Sequence, residues 1–400
     1  MRTALALVLA AVWIASPVVA QSKVPRRPAV LDSNDARAFY RAGLQDLPRD
    51  AEKAQASLYW ATRLQPTWAE ALYLRRITEL RSDEYRLIRY FQRDKKVRRE
   101  MQGADSLLFR ARMIEPFLVQ EHDKDLLVHY FTAAIERNMK SANPNANPGE
   151  VRFAVTEYIR DLLQPNARNP SMAGWLAFSE RRYPEALDYY AMAIGKKHEN
   201  PELHDDRATM FYLLQRYDSA ASELRHAVDE MKKEEKKEDA VIYRPKAMLH
   251  YRLAYVFLKT EQADSAKAAL TRALEEDLAF YPAHVTLASL ALAAGDSAAA
   301  GREMSLAVEL QPNDPYPYMR HADLAFTMQS YDAAATSLNK VIVLEPYFAE
   351  PHRLLGRVAE AQQKPAEAVE HYRRFLLLTT HDDRDASAIR EKIKSLGGGA

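Results

Sequence analysis

Pro312 and Pro346 lie 34 residues apart, and each closes the same phrase. One reads Leu306-Ala307-Val308-Glu309-Leu310-Gln311-Pro312, the other Lys340-Val341-Ile342-Val343-Leu344-Glu345-Pro346. An earlier copy, Trp60-Ala61-Thr62-Arg63-Leu64-Gln65-Pro66, stands in the N-terminal half. A fixed period of this length calls for a stack of two-helix units, because one such unit cannot bury its apolar face alone.

The spacing inside a unit agrees. Strand-like alternation is sparse, and apolar residues recur at i, i+3, i+4 and i+7, the helical period. In 315–348, Tyr318, His321, Ala322 and Ala325 share one helical face. A polar break, Gln329-Ser330-Tyr331-Asp332, separates them from Ala334, Leu338, Val341 and Leu344 on a second helix. Pro346 stops that helix, since proline lacks the N–H and its ring clashes with the preceding turn.

This pattern resembles the tetratricopeptide repeat family, which places small residues at positions 8, 20 and 27, a bulky one at 24 and proline at 32. Residues 281–314 supply Ala288, Ala300, Met304, Ala307 and Pro312. Residues 247–280 supply Ala254, Ala266, Leu270 and Ala273, and 201–234 supply Ala208, Ala220, Leu224 and Ala227. Residues 167–200 give Gly174, Ala186, Tyr190 and Ala193, and 349–382 give Gly356, Ala368, Tyr372 and Phe375. Leu278 and Thr380 replace the proline in their units. The resemblance implies an all-α fold: a right-handed α-solenoid of stacked helical hairpins, closed by a C-terminal capping helix.

The expected organisation follows. Residues 1–20 read as a signal peptide and 21–34 as a flexible linker. Residues 35–166 form an irregular N-terminal helical region of the same type. Within it, helices are expected near 69–80, 125–137 and 150–163, with an insertion near 82–100. Two units fill 167–234, a charged linker 235–246, and four units 247–382. A capping helix with a tail ends the chain at 383–400.

The signal-peptide reading rests on Arg2, the apolar run from Ala4 to Ala15, and small residues at Val18 and Ala20 before the expected cut. That run is shorter than the ~20 apolar residues a membrane span needs, and no later stretch is as apolar. The expected location is therefore periplasmic or secreted. There is no cysteine, which excludes disulfides and thiolate metal sites. Lys and Arg number 56 against 55 Asp and Glu, so bulk charge offers no case for nucleic acid.

In the family, the first helix of each hairpin lines a concave groove through positions 2, 5, 9, 12 and 13. Here those positions include Trp175, Phe178, Tyr212, Tyr251, Tyr255, Tyr316, Phe326, Arg353 and Arg357. Aromatic rings with a polar edge suit a peptide backbone or a sugar ring. Arg353 and Arg357, one helical turn apart, could grip an anion together. The Lys and Asn of the family's carboxylate-clamping subgroup are absent.

His204, His250, His284 and His352 all fall at position 4, one repeat apart and too distant to share an ion. They read as wedges between neighbouring hairpins. Three acidic-histidine clusters (121–123, 204–206 and 381–383) lack the spacing of a helix-borne zinc protease and read as helix starts. Gly295-Asp296-Ser297 falls at an inter-helix turn rather than at a nucleophile. The basic stretch 81–99, with its aromatics, is either an amphipathic helix with a solvated face or a contact for an anionic surface. No cofactor, metal site or catalytic residue is expected. The expected role is an exported, non-enzymatic scaffold for a partner protein or extended peptide, with a glycan-binding accessory role as the alternative.

Overall fold

The computed structural model describes residues 24–30, 32–83, 106–143, 145, 147–163, 169–195, 201–234, 246–380 and 383–398. The expected signal peptide, residues 84–100 of the insertion, residues 235–245 of the charged linker, His381 and Asp382 lie outside them. Among the described residues there are 19 helices and no strand, and the fold is an all-α helical repeat.

The N-terminal limb comprises α1 (Ala36–Asp46), α2 (Ala51–Leu64), α3 (Ala69–Ser82) and α4 (Leu107–Ile114). A longer pair follows, α5 (Asp123–Ala142) and α6 (Pro148–Leu163). Each overshoots the stretch expected from sequence. Then come α7 (Pro170–Ser179), α8 (Tyr183–Gly195), α9 (Pro201–Leu213) and α10 (Tyr217–Glu234). The C-terminal array holds α11 (Lys246–Lys259), α12 (Ala263–Glu276), α13 (Tyr281–Ala293), α14 (Ser297–Leu310), α15 (Pro315–Thr327) and α16 (Tyr331–Leu344). It continues through α17 (Glu350–Ala361), α18 (Pro365–Leu378) and the last helix, α19 (Arg384–Ser395).

From α7 onward every first helix ends the same way. Arg181, Gln215, Glu261, Gly295, Gln329 and Gln363 have φ between 57° and 81°. The next residue's N–H reaches back to a carbonyl five residues earlier, as in Ser330 to Ala325 and Lys364 to Ala359, both 2.8 Å. This is the Schellman closure, which satisfies carbonyls the helix end would leave unpaired. Five of the six sites use a non-glycine residue in a conformation that ordinarily favours glycine. The α1–α2 connection differs: Leu47 stays right-handed, and Asp50 caps α2 by accepting from the Lys53 N–H at 3.0 Å.

Inside the hairpins, positions 8 and 24 exchange volume. Where position 8 is alanine (Ala208, Ala254, Ala288, Ala322), position 24 is Leu or Met; all eight residues are buried. Where it is glycine, a tyrosine fills the space: Tyr190 over Gly174 and Tyr372 over Gly356. A Cβ on either glycine would overlap the tyrosine ring. At the C-terminus, Ile389 and Ile393 of α19 cover Val369, Tyr372 and Phe375 of the last hairpin.

The limb does not simply extend the stack. It folds back beside the C-terminal array, in reverse order. Asn34 donates to the Leu377 carbonyl at 2.9 Å. Arg63 pairs with Glu345 at 2.8 Å, and Trp60 meets Tyr347 edge-on at 5.1 Å. Arg110 pairs with Asp314 at 3.4 Å, Phe109 meets Phe280 at 5.9 Å, and Phe117 stacks on Tyr212 at 3.8 Å. Numbers rise along one side as they fall along the other, so the two limbs run antiparallel. The linker expected over 21–34 is instead held at its described residues: the Trp60 indole donates to the Pro25 carbonyl at 3.0 Å, and the Arg27 guanidinium lies 4.2 Å from the Trp60 ring. A π-face and a carbonyl are partners a flexible segment would not keep.

Candidate functional site: a groove partly filled by its own chain

The first helices α9, α11, α15 and α17 carry most of the candidate groove residues, and the limb decides which of these remain accessible. Phe117, just beyond α4, lies parallel to the Tyr212 ring at 4°. The Arg252 guanidinium sits 4.3 Å from the same Phe117 ring. One turn earlier, the Tyr251 hydroxyl donates to the Met113 carbonyl at 3.3 Å, and Tyr251 is 4% exposed. Burial pushes the Tyr251 phenol well above its ordinary range and lifts that of Tyr212 to about 12, so both remain neutral. Tyr255 and Tyr316 are half-buried beside this cluster.

Charges are buried with the rings. Arg252 pairs with Asp205 and donates to the Thr209 hydroxyl at 2.6 Å; both charged residues are less than 5% exposed. Further along, burial raises Glu345 to about 7, against the opposing pull of Arg63, Arg110 and Arg75. Asp314 accepts from the Tyr281 hydroxyl at 3.1 Å and from the Tyr316 N–H at 3.0 Å while pairing with Arg110. These contacts place side chains of α4 and its flanks where a partner segment would otherwise lie on the tyrosines.

The remaining candidates separate. Phe178 is buried and Trp175 half-buried in a local cluster with Val119 and Tyr183. Arg353 is held by Glu350, with its Nε at 2.8 Å, and lies 3.9 Å from Asp385, so it is not poised for an outside anion. Phe326 and Arg357 come together: the exposed guanidinium lies 4.9 Å from the Phe326 ring. They line a groove of about 400 Å³ together with Glu360, Tyr372, Ile389 and Lys392. Lys392 is neutralised by Glu360 at 2.7 Å, and the Tyr372 hydroxyl bonds the same carboxylate. Arg357 makes no direct ion pair among the described residues, although its charge acts on the Asp323 carboxylate. The part played by Lys392 and Ile389 was not visible in a repeat register, because they belong to the terminal helix.

The position-4 histidines were expected as wedges between neighbouring hairpins; they pair chiefly within their own, and His284 does both. Three of them face a residue 19 positions later in their own hairpin, and His284 also reaches the preceding unit, its Nε2 lying 3.3 Å from the Leu278 carbonyl. His204 Nδ1 is 2.8 Å from Glu223, and His284 Nδ1 is 2.7 Å from Glu303. The His352 ring is 5.9 Å from the His371 ring. The first and second helices of a hairpin face each other at these positions, whereas the next hairpin is offset.

The family model described as tetratricopeptide repeat matches residues 251–315 and 319–387. No curated protein matches the chain. Several solved structures are similar at low identity. A C-terminal part of a TPR repeat-containing protein from Cytophaga hutchinsonii is 17% identical, with a TM-score of 0.44, covering 57% of this chain and 95% of that one. PilW, a type IV pilus biogenesis factor, is 14% identical, with a TM-score of 0.44, covering 56% and 98%. YrrB, a TPR protein with an unusual peptide-binding site, is 16% identical, with a TM-score of 0.38, covering 51% and 97%.

Proposed function

We propose that this helical-repeat chain is an exported, non-enzymatic scaffold that holds an extended segment of a partner protein in the groove at Phe326 and Arg357. One observation carries the reading. The candidate tyrosines at Tyr212 and Tyr251 are taken by Phe117 and Met113 of the same chain, whereas the Phe326–Arg357 end is open. The chemistry of that end selects its ligand. An aromatic floor and an exposed guanidinium above it suit an apolar side chain next to a carboxylate. Export is the part that rests on the leader-like residues 1–20 alone.

Selection from a random-peptide library on the purified chain tests the groove. Enriched peptides should pair an aromatic or aliphatic residue with Asp, Glu or a free C-terminus. They should lose binding to Arg357→Glu, at an exposed position, and to Phe326→Leu, which keeps an apolar side chain against the core beside Tyr331 and removes the ring. Equal capture by the parent and both variants, with melting temperatures unchanged, would remove the groove from consideration. N-terminal sequencing of the protein recovered from its producing cell tests export, with Gln21 expected as the first residue.

A further inference from the structure

We infer that the hairpin formed by α9 and α10 carries a transition-metal site built from His204, Glu223 and His226. Their ligand atoms all lie within 4.8 Å of one another. His204 and Glu223 are buried, and His226 is exposed at the rim, with its ring edge-on to His204 at 5.4 Å. Two imidazoles and one carboxylate are the donor set borderline divalent ions prefer, with a fourth position left for water or a partner's side chain.

The repeat supplies its own controls. Position 4 and position 23 face each other in the unit 201–234 as His204 and Glu223, and in 281–314 as His284 and Glu303. They do so again in 349–382 as His352 and His371. That pair by itself is a hairpin strut, present with no third ligand: position 26 is Leu306 in the second unit and Arg374 in the third. Only the 201–234 unit adds an imidazole, His226, on the turn of α10 directly after Glu223. Three residues apart on a helix, the two side chains share a face.

Glu223 is set up for one bond to an ion. Its Oε1 is held by Arg207 at 3.2 Å, which leaves Oε2 facing His204. A carboxylate steadied on its outer oxygen is the usual supporting arrangement around a metal. The Arg207 charge also weakens cation binding, so the site suits an ion that gains from nitrogen ligands over one bound by charge alone. Two donors on a tetrahedral ion with bonds of about 2.0 Å lie about 3.3 Å apart. Two small movements are needed: the exposed His226 ring turns inward, and His204 Nδ1 and Glu223 Oε2, 2.8 Å apart, open to that separation.

Untagged chain titrated with Co²⁺ alone, with Zn²⁺ as competitor, tests this. The expected result is a saturable tetrahedral d–d spectrum at one ion per chain, displaced by Zn²⁺. His226→Leu installs the residue type found at the same position of the 281–314 unit, on an exposed site, and should abolish the spectrum without lowering the melting temperature. Leu306→His supplies the missing third ligand beside His284 and Glu303 and should raise the stoichiometry to two. No saturable spectrum, a spectrum that survives His226→Leu, or a stoichiometry that stays at one in Leu306→His overturns the inference.

Discussion

The N-terminal limb, α1 to α4, and the C-terminal array, α11 to α18, are made of the same kind of hairpin and are held by different kinds of force. In the array each helix packs on its sequence neighbours, and its core is the set of small and large residues recurring every 34 positions. The limb has a local core too, with Leu58, Leu72, Ile77 and Ala111 fully or almost fully buried. Its placement, however, rests on contacts between residues far apart in the sequence, such as Tyr251 to Met113 and Asn34 to Thr379. Local packing sets what each limb is; aromatic and charged contacts, with Phe109, Met113 and Phe117 sunk into the array's core, set where the first lies on the second. Elements held by few contacts open at lower free energy than those in a continuous core.

The comparison breaks most severely at Arg252, which joins repeat to repeat through Asp205 and array to limb through Phe117. Arg252→Ala should cost about 3–5 kcal/mol, the usual consequence of leaving a buried carboxylate without its guanidinium. Chemical denaturation should show the midpoint falling and local protection lost on both sides of the contact.

Next in size are the glycines beneath tyrosines. Gly174→Ala and Gly356→Ala should each cost roughly 1–3 kcal/mol by overpacking. Pairing either with Tyr190→Leu or Tyr372→Leu, which restores the alanine–leucine combination of Ala208 and Leu224, should recover most of it. A double-mutant cycle in urea with no coupling would contradict the volume exchange.

A smaller effect separates the limbs without unfolding either. Trp60→Phe keeps a ring in the limb's own core beside Phe39 and Ala61 but removes the indole N–H that reaches the Pro25 carbonyl and shrinks the face offered to Arg27 and Tyr347. Hydrogen exchange should speed up around 24–35 and 345–348 while α11 to α14 keep their protection. Uniform acceleration along the whole chain would mean the limb is integral to the array.

The smallest is a pH effect at Glu345. Its folded pKa, about 7, lies above its ordinary value of 4.5. Between those values the folded chain keeps a proton the unfolded chain has lost. The contribution is therefore present in full below about 4.5 and disappears as pH rises through about 7. Glu345→Gln should flatten that part of the melting-temperature profile between pH 5 and 8. A slope unchanged by the substitution would assign it to other groups, with Asp206, also raised to about 7, the first to substitute next.

Much of this molecule could be read before any coordinates. The all-α class, the hairpins from 167 onward and residues such as Ala288, Met304 and Ala307 follow from a 34-residue period, because a repeating core needs only near neighbours to be specified. The capping helix was legible for the same reason: the last hairpin's apolar face needs a cover, and Ile389 and Ile393 recur at helical spacing. The turn residues were harder. Arg181, Gln215, Glu261, Gln329 and Gln363 carry no glycine signal, and only the polar break around them marks the turn. The groove was half legible. Its residues lie at family positions, but exposure is not a property of position, and nothing near Tyr251 in the sequence announces Met113. The period fixes how each helix packs on the next, since that depends on spacing along the chain. The antiparallel return of the limb, the filling of the tyrosine end and the opening left at Phe326 and Arg357 depend on side chains meeting across hundreds of residues. Only the tertiary structure decides those.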